Sequence, residues 1–143
     1  MIHEEICTYE VCKLAKEKGF DVPTDRYYHI YDDVIEAQNS LEMKGDGCAD
    51  FYNSLNRCRC AAPTQSLLQR WLREEKKIYV CPCIISDYED DYTPHIVYWS
   101  FIIVNTESGD SIYREYERVD DKRFDTYEQA LEDAELYVLK NLL

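Results

Sequence analysis

Cysteine is the residue type in this chain best suited to chemistry. There are seven: Cys7, Cys12, Cys48, Cys58, Cys60, Cys81 and Cys83. Two Cys-x-Cys pairs stand out, Cys58-Arg59-Cys60 and Cys81-Pro82-Cys83. Residues two apart on a strand face the same way, so each pair can present two thiolates together. Four converging thiolates from Cys58, Cys60, Cys81 and Cys83 would make a tetrahedral zinc site. Structural zinc sites usually put roughly two to four residues between paired ligands, and these pairs have a single residue between them. Free cysteine also packs as a small hydrophobe. A zinc site and plain core packing are therefore the two competing readings, and no other cofactor is indicated. The odd count argues against a disulfide framework. The opening Met1-Ile2-His3-Glu4-Glu5 does not read as a secretory leader, which points to a reducing, cytoplasmic setting.

Other constellations are sparse. The histidines are His3, His29 and His95, and none is paired by the sequence with a particular cysteine as nucleophile and base. With 4 glycines in the chain, a backbone-amide phosphate cradle is not expected. No catalytic residue is assigned. The run Asp87-Tyr88-Glu89-Asp90-Asp91 offers the carboxylates of Asp87, Glu89, Asp90 and Asp91 to a hard cation such as calcium. It lacks the alternating ligands and central glycine of an EF-hand loop, and a solvated charged loop is the simpler reading. Tyrosine is abundant, with 13 against 4 phenylalanines. Tyr27, Tyr28, Tyr31, Tyr88, Tyr92, Tyr98, Tyr113 and Tyr116 either form a binding surface, since tyrosine joins apolar area to a polar tip, or replace phenylalanine at half-buried sheet positions.

Charge narrows the function classes. The chain of 143 residues carries 29 acidic and 16 basic side chains, a net charge of −13. The excess is spread, with 7 basic and 12 acidic residues in positions 1–63 and 9 and 17 in positions 64–143. Neither half has the basic patch that phosphate neutralisation needs, which disfavours direct nucleic-acid binding and anionic membranes. The expectation is a non-enzymatic, acidic binding or accessory protein whose partner is another protein. A zinc-stabilised protein is one alternative. An acidic decoy for a nucleic-acid-binding protein is the other.

These residues must be positioned by elements that the sequence also predicts. A helix is expected over 8–18, with Thr8 as N-cap, Val11, Leu14 and Ala15 as the apolar stripe, and Gly19 as the C′ residue. Arg26 to Tyr31 reads as a short strand and 48–57 as a short helix. Pro63 suits the first position of a helix running to Lys77, with Leu67, Leu68, Trp71 and Leu72 on one face. Ile78–Ile85 is an apolar strand in which Pro82 cannot donate to a ladder, so it is an edge or is bulged. His95–Asn105 is apolar on both faces, as a central strand is. Ser111–Val119 completes the meander. Asp125 with Glu128, or Thr126 with Gln129, opens the last helix with a capping box. The predicted class is α+β: a single domain with an antiparallel three- to four-stranded sheet packed against helices. Residues 63–143 form a helix–strand–strand–strand–helix unit. The double-stranded RNA-binding domain has that order too, but Glu128, Glu132, Asp133 and Glu135 stand where such a domain needs lysines.

Three segments occur together: Lys16-Glu17-Lys18-Gly19-Phe20-Asp21-Val22-Pro23, Ala62-Pro63-Thr64-Gln65-Ser66-Leu67-Leu68-Gln69-Arg70-Trp71-Leu72-Arg73-Glu74, and Phe124-Asp125-Thr126-Tyr127-Glu128-Gln129-Ala130-Leu131. The combination resembles a family of short uncharacterised proteins of Bacteroidetes genomes and their phages and mobile elements. The resemblance implies such an origin and a cytoplasmic setting, and brings no activity or catalytic residue. All three segments fall at predicted element boundaries.

Overall fold

A computed structural model describes residues 2–30, 41–43, 49–55, 59–87 and 96–143. The fold is α+β, with two three-stranded antiparallel sheets and four helices among the described residues. The chain divides into two compact units, residues 1–68 with 138–143 and residues 69–137. No described helix is long and apolar enough to cross a membrane.

In the first unit, α1 (Tyr9–Glu17) follows Thr8, which is extended as an N-cap should be but makes no side-chain capping bond. Its buried residues are Val11, Cys12 and Ala15, so Cys12 takes the inward place expected of Leu14. The helix ends as its sequence predicts. Gly19 turns into the left-handed region at φ +91°. The Phe20 amide then bonds to the Ala15 carbonyl at 2.9 Å, and the Gly19 amide to that of Lys16 at 3.1 Å. This is the paired Schellman closure, and it delivers Phe20 into the core at 1% exposure. The sheet has the order β2-β1-β3, from β1 (Arg26–His29), β2 (Leu41–Met43) and β3 (Arg59–Ala61). The strand expected to reach Tyr31 is shorter, and β2 and β3 were not foreseen. Of the helix expected at 48–57, the described residues show α2 (Tyr52–Leu55), preceded by a bridge between Asp50 and Thr24, and residues 48, 56 and 57 lie outside the described residues. Lys140 pairs with Glu10 at 3.0 Å, and the Lys18 ammonium donates to the Leu143 carbonyl at 2.7 Å, which ties the C-terminal residues to α1.

The next helix, α3, spans Gln65–Glu75 and does not begin at Pro63. Thr64 is its N-cap, its hydroxyl accepting from the Leu67 amide at 3.2 Å. Pro63 is one residue outside, because its carbonyl is committed to the Cys7 amide at 3.0 Å. The helix stops where Lys77 adopts φ +59°.

The second unit holds the meander β4 (Ile78–Asp87), β5 (Ile96–Asn105) and β6 (Ser111–Arg114), in the order β4-β5-β6. β5 is the central strand, as its two apolar faces require, and β4 is an edge, as Pro82 requires. Val80, Phe101 and Ile103 are fully buried on one face of this sheet. The third strand is shorter than the predicted Ser111–Val119: after Arg114 the chain turns into a 3₁₀ segment, Glu115–Glu117. Tyr113 and the buried Glu115 explain the break. The phenol donates to one Glu115 carboxylate oxygen, and the other accepts from the Lys122 amide at 2.9 Å, which folds residues 115–122 back. The last helix, α4 (Tyr127–Asn141), opens on Thr126. The Thr126 hydroxyl accepts from the Gln129 amide, and the Gln129 side chain accepts from the Asp125 amide, both at 3.2 Å.

Candidate functional site

The edge strand β4 gathers the chemistry of the second unit, and its hydrogen-bond directions follow from its neighbours. Trp99 exchanges both backbone bonds with Phe124, at 2.8 and 3.0 Å, and the Asn105 amide bonds to the Asp110 carbonyl at 2.9 Å. The odd residues of β5 therefore point away from β4, and its even residues point toward it. In the observed register, Tyr79, Cys81, Cys83 and Ile85 oppose Val104, Ile102, Ser100 and Tyr98. Their amides and carbonyls make the ladder. Those of Val80, Pro82, Ile84 and Ser86 point off the sheet. Pro82 thus sits where its missing N–H breaks no ladder bond.

The outward edge has a closed half and an open half. The Gln69 side chain of α3 donates to the Val80 carbonyl at 2.7 Å, and the Cys81 thiol leans on the Pro82 carbonyl at 3.6 Å. Among the described residues no hydrogen bond engages the outward groups of Ile84 and Ser86. Ile84 is 56% exposed, and Val97, diagonally across on the same face, is 59% exposed. From Ile78 to Ser86 the strand carries no charged residue. Edge strands are ordinarily blunted by charge. Here Pro82 blunts the edge at the strand's midpoint, and a charge comes only with its last residue, Asp87.

The predicted metal residues fall in different units. Cys58 lies outside the described residues. Cys60 is buried in β3, and burial pushes its thiol up to about 11, with the Lys16 ammonium pulling weakly the other way. Cys81 and Cys83 are half-buried, on one face of β4. Burial raises the Cys83 thiol, and so does the charge of Cys81 beside it. Burial likewise raises the Tyr79 phenol, followed by the effect of Cys81.

The tyrosines mostly find internal partners. Tyr27 is buried, with its ring 4.5 Å from that of Tyr52 and the Arg59 guanidinium 4.6 Å above it. Tyr28 packs edge-on against Tyr9 and donates its hydroxyl to the Cys7 carbonyl at 2.7 Å. Tyr98 is buried, with the Arg123 guanidinium 4.5 Å from its ring. Tyr113 stacks between Phe101 and Tyr137, at 5.8 and 4.1 Å. Burial and the bond to Glu115 push its phenol up to about 12, against the opposing Arg118. Tyr113 also lines a shallow depression of about 490 Å³ with Asp110, Ser111, Ile112, Arg114 and Glu117, where Arg114 is already paired to Glu117 at 2.9 Å. Tyr116 is half-buried in the 3₁₀ segment. Tyr31, Tyr88, Tyr92, Glu89, Asp90 and Asp91 lie outside the described residues, and Asp87 ends β4.

Sequence reasoning missed the open half of the β4 edge, although Pro82 was its signal. It also passed over Ser100, the serine buried within the mostly apolar central strand. No family model, curated protein or solved structure matches this chain.

Proposed function

We propose that the protein is a non-enzymatic binding module that takes an extended, basic segment of a partner protein onto the open half of β4. The observation that carries this reading is the outward backbone of Ile84 and Ser86, which no hydrogen bond engages among the described residues, beside exposed Ile84 and Val97. Strand addition supplies affinity through main-chain bonds and selectivity through alternate side chains. The partner's charge follows from the chain's own net charge of −13 and from the acidic sequence Asp87-Tyr88-Glu89-Asp90-Asp91 that begins where β4 ends. Apolar side chains of the partner would extend the Ile84 and Val97 patch. Its lysines or arginines would answer the net negative charge of the chain and steer association in a salt-dependent way.

The test uses fluorescence anisotropy with an alternating lysine–valine peptide and its glutamate–valine counterpart. The lysine peptide should bind, weaken with salt and lose affinity to Ser86→Pro. That variant removes an outward N–H and no ladder bond. Equal binding of both peptides, or binding unchanged in Ser86→Pro, would contradict the reading.

A further inference from the structure

We propose that Cys81 and Cys83 form a two-thiolate site for a soft monovalent ion, copper(I), with the Ser100 hydroxyl supporting the Cys83 sulfur. Cys81 and Cys83 project from the face of the sheet that carries Ser100 and Ile102, opposite the face of Ile84 and Val97. Both cysteines lie on one face of the strand, two residues apart and half-buried. A strand rises about 3.3–3.4 Å per residue, so their Cβ atoms are held roughly 6.7 Å apart along parallel directions. A disulfide needs Cβ atoms about 3.5–4.5 Å apart, so this extended backbone opposes an internal one. A bridging ion has no such difficulty. With metal–sulfur bonds of about 2.3 Å, a linear arrangement puts the sulfurs roughly 4.6 Å apart, which needs each thiolate to lean only about 1 Å toward the other.

The donor set selects the ion. Among the described residues of this unit, no third histidine, cysteine or carboxylate joins the pair. Zinc wants four ligands, whereas soft thiolates suit copper(I). A second observation points to the same spot. Ser100 is fully buried directly across the ladder from Cys83, and its hydroxyl has no hydrogen-bond partner among the described residues. A buried hydroxyl left unbonded is costly. A thiolate at Cys83, directly opposite in the register, would give the hydroxyl an acceptor once its side chain turns toward the sulfur, in the way outer groups orient metal ligands. Both thiols lose their protons when the ion binds, and the carbonyl of Pro82 then loses its contact from Cys81.

The reduced full-length protein would be titrated against the copper(I)–bicinchoninate complex, with cysteine alkylation mapped by mass spectrometry before and after loading. One copper(I) per chain should be withdrawn from the chelator, and Cys81 and Cys83 should become protected in the unaltered protein. Cys81→Ser and Cys83→Ser should each abolish the competition, and Cys60→Ser, which breaks the other pair, should not. Ser100→Ala should keep or raise the melting temperature while weakening affinity about 10-fold. Failure to compete, protection at other cysteines, or loss only in Cys60→Ser would overturn the proposal. The mapping on the unaltered protein decides the matter even where a variant fails to fold.

Discussion

The side-chain amide of Gln69 donates to the Val80 carbonyl at 2.7 Å, joining helix α3 to the outward side of an edge strand. That bond divides β4. On one side of Pro82 the edge is answered from within the chain. On the other, Ile84 and Ser86 present backbone groups that nothing described engages. Gln69→Ala should lower stability by about 1 kcal/mol, the ordinary net value of one such bond. Urea unfolding checks it, and an unchanged midpoint would show that the bond contributes nothing.

Gly19 ends α1 at φ +91°, and a Cβ there would meet no atom within 4 Å. The penalty for Gly19→Ala is therefore backbone strain alone, about 1–2 kcal/mol. An equilibrium unfolding curve should show the loss with an unchanged slope. A neutral substitution would mean that the helix does not need its left-handed stop.

Tyr113 gives a pH prediction with a definite sign. Its phenol is pushed from 10.0 to about 12 by burial and by the bond to Glu115. The native state therefore favours the neutral phenol more than the unfolded state does. Its contribution to stability is complete below pH 10 and is lost as pH rises from 10 through 12. The stability difference between the protein and Tyr113→Phe should shrink across that interval. A difference that is flat or grows would contradict the assigned network.

Cys60 should be the slow thiol. Burial leaves it 1% exposed and raises its pKa to about 11, which removes the reactive thiolate at neutral pH. Under native conditions iodoacetamide should modify the half-buried Cys81 before Cys60, as peptide mapping would read. The reverse order would place Cys60 at an accessible surface.

The legible parts of the fold were those with local causes. Gly19-Phe20 ends a helix because one left-handed residue closes two carbonyls. Thr126 and Gln129 begin one because a hydroxyl and a side-chain amide satisfy exposed amides. Pro82 marked β4 as an edge because it has no donor, and the two apolar faces of 96–105 marked a central strand. The rest depended on partners distant in sequence. β2 and β3 are three residues each, too short to show a period. The alternation of Ser111–Val119 looks like one strand, but Glu115 reaches Tyr113 and Lys122 and bends it. Tyr27, Tyr28 and Tyr113 were candidates for a surface. Their rings are taken up by Tyr52 and Arg59, by Tyr9, and by Phe101 and Tyr137. Which half of the β4 edge stays open was decided by Gln69, which no reading of β4 alone could reveal.

The most direct test of strand addition is residue-resolved amide exchange by NMR, with and without the alternating lysine–valine peptide. In the free protein the amides of Cys83 and Ile85, turned into the ladder, should exchange slowly, and those of Ile84 and Ser86 quickly. The peptide should protect Ile84 and Ser86 and leave Cys83 and Ile85 as they were. Fast exchange at Ile84 and Ser86 in the presence of saturating peptide, or protection of both before any peptide is added, would contradict the account.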